Sequence, residues 1–231
     1  MTIKSENYPE EYKKWSVHFF GRDFIVTPDV LIPRLETECL IKRAREIIKN
    51  QNIKTVIDIG SGSGIIGTSI ADIADEVIFV DISPEAIKIT EKNFATNYPT
   101  KKARYIQSDL LSSFSPADFS SLTGPILFVT NLPYIRDEDW NNMSKDTVFE
   151  PKLALFGGEE TGFELYEKLF EQLETLSILE VIDPLYCIFE FGFDQREIAE
   201  EILKKYKNWE YGFFADYAGI ERFWEITNTL Q

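Results

Sequence analysis

Residues 55–64 read Thr-Val-Ile-Asp-Ile-Gly-Ser-Gly-Ser-Gly and lead directly into a segment with helical character, residues 64–71. The first five residues have the composition of a buried β-strand, and the glycines allow a tight turn and a close approach of a ligand to the backbone. A strand, a glycine loop and a helix in this order form a nucleotide-type site at the carboxyl end of a sheet. The stretch therefore predicts an α/β fold with a ligand site at that edge.

Apolar runs and helical segments alternate on both sides of this stretch. We predict strands at residues 55–59, 77–80, 105–106, 126–130, 185–191, 209–215 and 222–226. We predict helices at residues 37–49, 64–71, 84–94, 163–176 and 194–206. This alternation indicates a doubly wound, mostly parallel, Rossmann-like sheet of seven strands. The last two strands are joined without a helix, so they must run antiparallel to each other. The Ser-rich residues 112–121 are expected to form a surface loop.

The N-terminal part of the chain does not follow this alternation. Residues 15–20 and 24–26 are short apolar runs around Gly21-Arg22-Asp23, which predicts a β-hairpin. We therefore divide the chain into an N-terminal extension with its hairpin, residues 1–30, and an α/β domain, residues 31–231.

Composition excludes several classes of protein. The 231 residues carry a formal net charge of −15, which disfavours attraction to a phosphate backbone, so no direct nucleic-acid partner is expected. No apolar run approaches the roughly 20 residues that span a bilayer, so we expect a soluble, cytoplasmic protein. The single histidine, His18, leaves little material for a metal site, and Cys39 and Cys187 are too far apart in sequence for metal-ligand spacing.

Two aspartates extend the nucleotide-type site along the edge of the sheet. Asp81 ends the second predicted strand, where its carboxylate can accept hydrogen bonds from both hydroxyls of a ribose, and Asp109 follows the third strand, near the expected adenine edge. The glycines alone do not identify the nucleotide, because residues 62–67 also satisfy the dinucleotide pattern G-x-G-x-x-G. Asp58 favours S-adenosylmethionine (AdoMet), since a carboxylate beside the loop suits its cationic methionyl end better than a pyrophosphate.

A second motif, Asn131-Leu132-Pro133-Tyr134, follows the apolar strand at residues 126–130 and reaches the same edge. An amide or exocyclic amine nitrogen is a planar, poor nucleophile, so a site that methylates it must hold both of its N–H groups. The side-chain oxygen of Asn131 can accept one, and the backbone carbonyl of Leu132 can accept the other. Pro133 stiffens the turn, and Tyr134 offers a ring face to the planar group.

Five stretches together resemble the HemK-like glutamine methyltransferases that modify peptide-chain release factors. They are residues 30–38 (VLIPRLETE), 58–64 (DIGSGSG), 131–134 (NLPY), 149–158 (FEP followed by ALFGG) and 216–222 (DYAGIER). The first and fourth stretches are the most specific, because general AdoMet folds do not share them. The resemblance covers about residues 20–226 and assigns residues 31–231 to an AdoMet-dependent methyltransferase domain.

The resemblance implies a role for each matching residue. The expected cofactor residues, including those of the glycine loop, are Asp58, Ile59, Gly60, Ser61, Gly62, Gly64, Asp81, Asp109, Leu110 and Asn131. The residues expected to hold the glutamine side chain are Asn131, Leu132, Pro133 and Tyr134. The family methylates the amide nitrogen of the glutamine in the Gly-Gly-Gln tip of release factors, so a release factor is the expected partner. AdoMet is the expected co-substrate, and no metal is expected.

The sequence departs from the family pattern at three places. Leu132 and Leu35 stand where the family has proline, although a backbone carbonyl is all that the site needs at Leu132. About 15 residues precede the hairpin, so we expect the helical N-terminal domain with which the family grips its substrate to be missing. Asn-Leu-Pro-Tyr also occurs in adenine N6 methyltransferases. A nucleic-acid or small-substrate N-methyltransferase, a non-catalytic AdoMet-binding module and a dinucleotide-dependent oxidoreductase therefore remain alternatives.

Overall fold

The computed structural model describes residues 7–122, 124–144, 146–178, 182–206 and 209–228. Its α-helices are α1 (Glu10–Lys14), α2 (Thr37–Gln51), α3 (Ile65–Ile70), α4 (Pro84–Asn97), α5 (Pro116–Ser120), α6 (Glu164–Thr175) and α7 (Arg196–Leu203). Its strands are β1 (Val17–Phe19), β2 (Arg22–Phe24), β3 (Thr55–Ile59), β4 (Glu76–Asp81), β5 (Arg104–Gln107), β6 (Ile126–Thr130), β7 (Ile135–Arg136), β8 (Phe156–Gly158), β9 (Leu185–Glu190), β10 (Trp209–Ala215) and β11 (Glu221–Asn228).

A seven-stranded sheet in the order β10-β11-β9-β6-β3-β4-β5 forms the centre of the molecule. The strands from β9 to β5 run parallel, and β11 is antiparallel to both of its neighbours. The predicted mostly parallel sheet with an antiparallel C-terminal strand is therefore confirmed. Strand order changes direction at β3, because the chain goes from β3 outward to β4 and β5 and then returns to β6 on the other side. Such a switch point opens a crevice at the carboxyl ends of the strands.

Helices cover both faces of the sheet, which explains why its central strands are apolar without alternation. Alternate residues of each strand point to opposite faces. Ile57 and Phe128 belong to the apolar layer under α6 and α7, whereas Val56 and Leu127 belong to the layer under α2 and α3. Every residue of β3 is buried, the polar ones included.

The predicted N-terminal hairpin is confirmed, but its turn is shorter than the predicted Gly21-Arg22-Asp23. Phe20 and Gly21 both have positive φ, 48° and 74°, as a two-residue hairpin turn with the twist of its strands requires. Arg22 and Asp23 are therefore paired residues of β2, opposite Phe19 and His18. A hairpin with this register presents alternate side chains to α4, which packs beside it.

The expected surface loop at residues 112–121 is wrong, because α5 lies within it. The segment contains its own start signal, since Ser115 and Asp118 form a reciprocal capping box with Pro116 in the first turn. The helix turns Phe119 into the core, where its ring packs against those of Phe114 and Phe128. Among the residues that the structure describes, no helix has both the length and the apolar composition that crossing a membrane would require.

Candidate active site

The carboxyl ends of β3, β4 and β6 border one cleft of about 1040 Å³, its open mouth included. Most of the expected cofactor residues line this cleft: Gly60, Ser61, Gly62, Asp81, Asp109, Leu110 and Asn131. Asp58, Ile59 and Gly64 are buried behind its wall. The sheet thus brings together residues from separate strands that lie up to 71 positions apart in the sequence, as the switch point at β3 allows.

The glycine loop between β3 and α3 curves around one side of the cleft. Gly60 and Gly64 have φ of +69° and +76°, a region that side-chain-bearing residues rarely adopt. A Cβ at Gly60 would lie 2.9 Å from Leu132 Cδ2, and one at Gly64 would lie 2.8 Å from Thr90 Cγ2. Both glycines are therefore required for the loop to pack against its neighbours.

Asp81 holds the loop from the end of β4. Its Oδ2 accepts a hydrogen bond from Gly62 N at 2.8 Å, and its Oδ1 accepts one from Ser83 N at 2.9 Å. Each carboxylate oxygen retains a lone pair, so both can still accept from ligand hydroxyls in the cleft. Burial raises the pKa of Asp81, while the bonds from Ser83 and Gly62 oppose the rise.

Asp58 has no contact with the cleft but supports the loop from behind. Its Oδ2 accepts from Gly67 N at 2.8 Å, and its Oδ1 has no hydrogen-bond partner among the described residues. Complete burial raises the pKa of Asp58 to about 7. A Cβ at Gly67 would overlap the Phe79 ring, so this glycine, the last of the G-x-G-x-x-G pattern, serves the packing of α3 on the sheet.

The opposite wall of the cleft follows β5. Asp109 accepts an ion-pair hydrogen bond from Lys168 of α6 at 2.5 Å, and Leu110 occupies the left-handed backbone region with φ 52°. Leu111 N donates to Gln172 Oε1 at 2.7 Å, which fixes the turn. Strained backbone of this kind is characteristic of functional sites. The turn presents the Leu110 side chain to the cleft as an apolar surface.

The Asn131–Tyr134 segment, named the acceptor corner here, separates the cleft from a second, side cavity of about 660 Å³. Asn131, Leu132 and Pro133 line both spaces, whereas Tyr134 lines the side cavity alone. All four residues that the sequence assigns to the acceptor group therefore border the side cavity. Burial raises the pKa of Tyr134 well above its usual value, with the nearby Glu190 carboxylate adding to the rise, so its ring stays neutral.

Buried polar side chains hold the acceptor corner in place. Asn131 Nδ2 donates to Thr37 Oγ1 at 3.4 Å, and Thr37 Oγ1 donates to Glu190 Oε2 at 2.8 Å. Leu132 N donates to the hydroxyl of Tyr166 at 3.2 Å, and that hydroxyl donates to the backbone carbonyl of Glu190. These contacts tie the corner to α2, α6 and the end of β9.

The far end of the acceptor corner is held by Gln195, whose Nε2 donates to Tyr134 O at 2.7 Å and to Thr161 O at 3.0 Å. Gly157 and Gly162 allow the chain to pass close behind, because a Cβ at either position would overlap the backbone carbonyl of Pro133 or Tyr134. This tight packing accounts for the first glycine of the ALFGG stretch, whereas a Cβ at the second, Gly158, would overlap the Glu164 side chain.

Two curated relatives match nearly the whole of this chain. A release factor glutamine methyltransferase of Mycoplasma mycoides is 33% identical over 219 residues, which cover 91% of this chain and 74% of the relative. The protein of the same name from Bacillus subtilis is 32% identical over 228 residues, covering 95% of this chain and 75% of the relative. The chain belongs to the release factor glutamine methyltransferase family. Residues 37–142 also match the family described as Methyltransferase small domain.

Solved structures share the fold of this family member. The ribosomal protein L11 methylase of Lactobacillus delbrueckii aligns with a TM-score of 0.58 at 19% identity, covering 89% of this chain and 84% of that one. The Mtq2–Trm112 complex of E. cuniculi, described as methylating the termination factor eRF1, aligns with a TM-score of 0.55 at 16% identity, covering 88% and 99%. At these identities the likeness confirms a methyltransferase fold.

In this glutamine methyltransferase family member, an ion pair joins the two most family-specific stretches. Arg34 Nη2 lies 2.7 Å and 2.9 Å from the two carboxylate oxygens of Glu150, and the Glu150 side chain is only 3% exposed. Burial raises the pKa of Glu150, and the charge of Arg34 opposes the rise. Because Arg34 also lines both cavities, the pair fixes one wall of the site.

The C-terminal DYAGIER stretch shapes the turn between β10 and β11 of the same protein. Asp216 Oδ1 accepts from Ala218 N at 2.8 Å and from Ile220 N at 3.0 Å, and its Oδ2 accepts from Arg222 Nε at 2.8 Å. These bonds satisfy the carboxylate within the turn itself. The stretch therefore stabilises the antiparallel end of the sheet.

Sequence reasoning assigned no role to the residues that support the site, which are Thr37, Tyr166, Glu190 and Gln195 around the acceptor corner and Glu150 beside Arg34. One of them carries a signal in the sequence. Glu190 ends an otherwise apolar run, and a charged residue in a buried strand is seldom retained without a partner. Thr37 and Glu150 lie in two of the stretches that carry the resemblance, residues 30–38 and 149–158, although no role was assigned to either of them. Tyr166 and Gln195 have no distinguishing signal in the local pattern.

Proposed function

We propose that this protein transfers the methyl group of AdoMet to the side-chain amide nitrogen of a glutamine, in the Gly-Gly-Gln segment of a peptide-chain release factor. The observation that carries the proposal is the orientation of Asn131. Its amide nitrogen is turned to Thr37, so its oxygen lies on the other side of the amide group, at the junction of the cleft and the side cavity. An oxygen there is an acceptor for one N–H of the substrate amide.

The cleft fits AdoMet on the chemistry of its walls. Asp81 offers two acceptor oxygens for ribose hydroxyls, and Ile82, Ala86 and Leu110 give an apolar surface for a planar base. The charged side chains among the described lining residues are three aspartates and one arginine. Such a lining favours a cationic ligand and opposes the pyrophosphate of a dinucleotide. AdoMet, when bound, supplies an electrophilic methyl group on a sulfonium.

The chain's own residues would orient the acceptor nitrogen. Asn131 Oδ1 and the carbonyl oxygen of Leu132 accept the two amide N–H groups, so the nitrogen faces the cleft, and Tyr134 packs against the planar group. A carbon–nitrogen bond forms as the carbon–sulfur bond breaks, S-adenosylhomocysteine leaves, and the proton of the methylated nitrogen passes to solvent. No general base is needed before transfer, because the amide N–H becomes strongly acidic only as the carbon–nitrogen bond forms. The residues of the acceptor corner therefore act by positioning.

Two observations favour a protein glutamine over a nucleobase. The net charge of −15 opposes the approach of a polyanion. Of the described residues that line the side cavity, Arg34 alone carries a charge, and Glu150 neutralises it. The partner would therefore be a release factor, met in the cytoplasm where translation terminates.

Incubation with labelled AdoMet and a purified release factor tests the proposal. We expect label in the wild-type factor and none above background in its Gly-Gly-Gln variant with Gln→Ala. Ribosomal RNA in a parallel reaction tests the adenine alternative. Equal labelling of both factors, or labelling of the RNA alone, would refute the glutamine assignment.

A further inference from the structure

Glu190 is a buried acid that the proposed chemistry does not use. It ends β9 with a relative exposure of 2%, beside Thr37, which is exposed to 1%. Its carboxylate accepts from Thr37 Oγ1 at 2.8 Å, and the Asn131 amide gives a further hydrogen bond that stabilises its charged form. A buried carboxylate costs several kcal/mol to desolvate, so its retention suggests a role other than stability.

The hydrogen bonds around Glu190 have a fixed direction. An ionised carboxylate only accepts, so the hydroxyl hydrogen of Thr37 must point to Glu190. The lone pairs of Thr37 Oγ1 then face Asn131, and only the NH₂ end of the Asn131 amide is compatible with them. With the hydrogen bonds in these directions, Asn131 Oδ1 points away from Thr37, toward the space for the acceptor amide.

We infer that Glu190 is a positioning residue that fixes the rotamer of Asn131, both directly and through Thr37, so that the side-chain oxygen of Asn131 and not its NH₂ group faces the substrate amide. The inference rests on the proposed function, in which Asn131 accepts an N–H of the glutamine. A reversed Asn131 would set two donors against each other and would expel the substrate nitrogen from its position.

The backbone of Glu190 supports the same corner by a second route. Its carbonyl accepts from the hydroxyl of Tyr166, which in turn accepts from Leu132 N. This chain of hydrogen bonds fixes the peptide on the N-terminal side of Leu132, next to the carbonyl proposed as the second acceptor. One residue at the end of β9 therefore organises both proposed acceptor groups.

The electrostatic surroundings of Glu190 are mixed. Burial raises its pKa to about 7, the hydrogen bond from Thr37 lowers it, Glu36 raises it and Arg222 lowers it. The phenols of Tyr134 and Tyr166 also face it, and burial keeps both neutral. Above about pH 7 the carboxylate is ionised, so Thr37 donates to Glu190 and Asn131 donates to Thr37. A protonated Glu190 can itself donate to Thr37, and the directions of these two hydrogen bonds are then no longer fixed.

The variant Glu190→Gln tests the inference, because it keeps the size of the side chain and removes its charge. Its amide can donate to Thr37, so either rotamer of Asn131 becomes possible. We expect kcat to fall about tenfold or more and the Kd of AdoMet to change less than about threefold. The melting temperature should stay the same or rise, since a buried charge is gone. Unchanged kcat would overturn the inference.

Matched variants separate positioning from general damage. Cys187→Ser lies on the same strand and places an unpaired hydroxyl in the core, so we expect a lower melting temperature with wild-type kcat. Thr37→Val removes the hydroxyl and should reduce kcat as Glu190→Gln does, whereas Thr37→Ser keeps the hydroxyl and should restore most of it. Equal activity of the Val and Ser variants would contradict the relay.

A second measurement needs no substrate and therefore separates failure of the inference from failure of the proposed function. The side-chain amide resonances of Asn131, assigned by their loss in Asn131→Ala, should titrate with a midpoint near pH 7 in the wild type and lose that step in Glu190→Gln. Identical resonances in both proteins across this range would overturn the inference. Absence of methylation by the wild-type enzyme would refute only the proposed function.

Discussion

Asn131 is the residue whose chemistry can be tested most directly. Its side chain is proposed to bond the acceptor amide, and the walls of the cleft are proposed to hold the cofactor. We expect Asn131→Ala to change the Kd of AdoMet by less than about tenfold and to lower turnover by several orders of magnitude. The reason is that the Asn131 side chain is proposed to hydrogen-bond the substrate amide that reacts, and not AdoMet. Calorimetric titration and single-turnover labelling measure the two effects. A large loss of affinity for AdoMet with intact turnover would show that Asn131 binds the cofactor and does not orient the acceptor amide.

Asp81 should show the opposite pattern. Asp81→Ala removes the acceptors for ribose hydroxyls and releases the N–H groups of Gly62 and Ser83. We expect the Kd of AdoMet to rise about tenfold or more, with much of the lost activity recovered at saturating AdoMet, since these contacts are the same in the ground and transition states. Asp75→Ala, an exposed aspartate at the other end of β4, is the control. Similar affinities of the two variants would exclude Asp81 from the cofactor site.

Among single residues, the sequence located those that line the two cavities better than those that support them from behind. The residues of the acceptor corner and most cofactor residues follow strands, where a regular pattern locates them. Asp58 illustrates the limit, because the sequence places its carboxylate beside the cofactor and the structure buries it behind the loop, bonded to Gly67. Thr37, Glu190 and Gln195 act through contacts across long sequence distances, which local patterns do not encode.

Among the elements, the segment that contains Arg34 and the segment that contains Glu150 depend on each other. Arg34→Gln leaves the Glu150 carboxylate buried without a counterion, and we expect a loss of about 1–3 kcal/mol in the free energy of unfolding. The KM of the release factor and that of AdoMet should both rise, because Arg34 lines the side cavity and the cleft.

A double-mutant cycle checks this coupling by denaturant unfolding. In Arg34→Gln with Glu150→Gln no unpaired charge remains, so the double variant should be more stable than the sum of the two single losses implies. Strict additivity would show that the ion pair does not join the two segments.

The elements themselves were predictable to different degrees. β3 and β6 were located to the residue, because continuous apolar runs with both faces covered have sharp ends. β7 and β8 were not foreseen, since these short strands pair only because Gly157 and Gly162 let the chain pass close to the acceptor corner. The helix α5 was hidden in a serine-rich segment, although its capping box was present in the sequence.

For the whole molecule, the alternation of strands and helices predicted the sheet, its parallel character and the antiparallel end. The order β10-β11-β9-β6-β3-β4-β5 was beyond local patterns, because it depends on which strands pair after the chain reverses at β3. That reversal places Asn131, at the end of β6, beside the glycine loop. The chemistry of the site is therefore a property of topology, and two motifs far apart in sequence become one site.

The buried acids also determine how the stability of the whole protein depends on pH. Burial raises the pKa of Asp58 and of Glu190 to about 7, above their usual values of 3.8 and 4.5. Between these limits the folded protein binds more protons than the unfolded chain, so the free energy of unfolding decreases as pH rises through this window and levels off above about 7. Carboxylates with lowered pKa, such as those of Asp72 and Asp216, change the pH dependence of the free energy of unfolding only below about pH 4.

We therefore expect the melting temperature to fall by roughly 10 °C between pH 5.5 and 7.5, because two groups that each release a proton over about 1.5 pH units lower the free energy of unfolding by about 4 kcal/mol together. Part of the fall could come from repulsion among surface charges, since the net charge is −15. Salt at about 0.5 M screens surface charges and leaves buried groups almost unaffected, so the fall should persist in salt. The variant Asp58→Asn should show a shallower dependence, because one of the two buried acids no longer titrates. A melting temperature that rises over this interval, or a slope that vanishes in salt, would show that the buried carboxylates do not control stability.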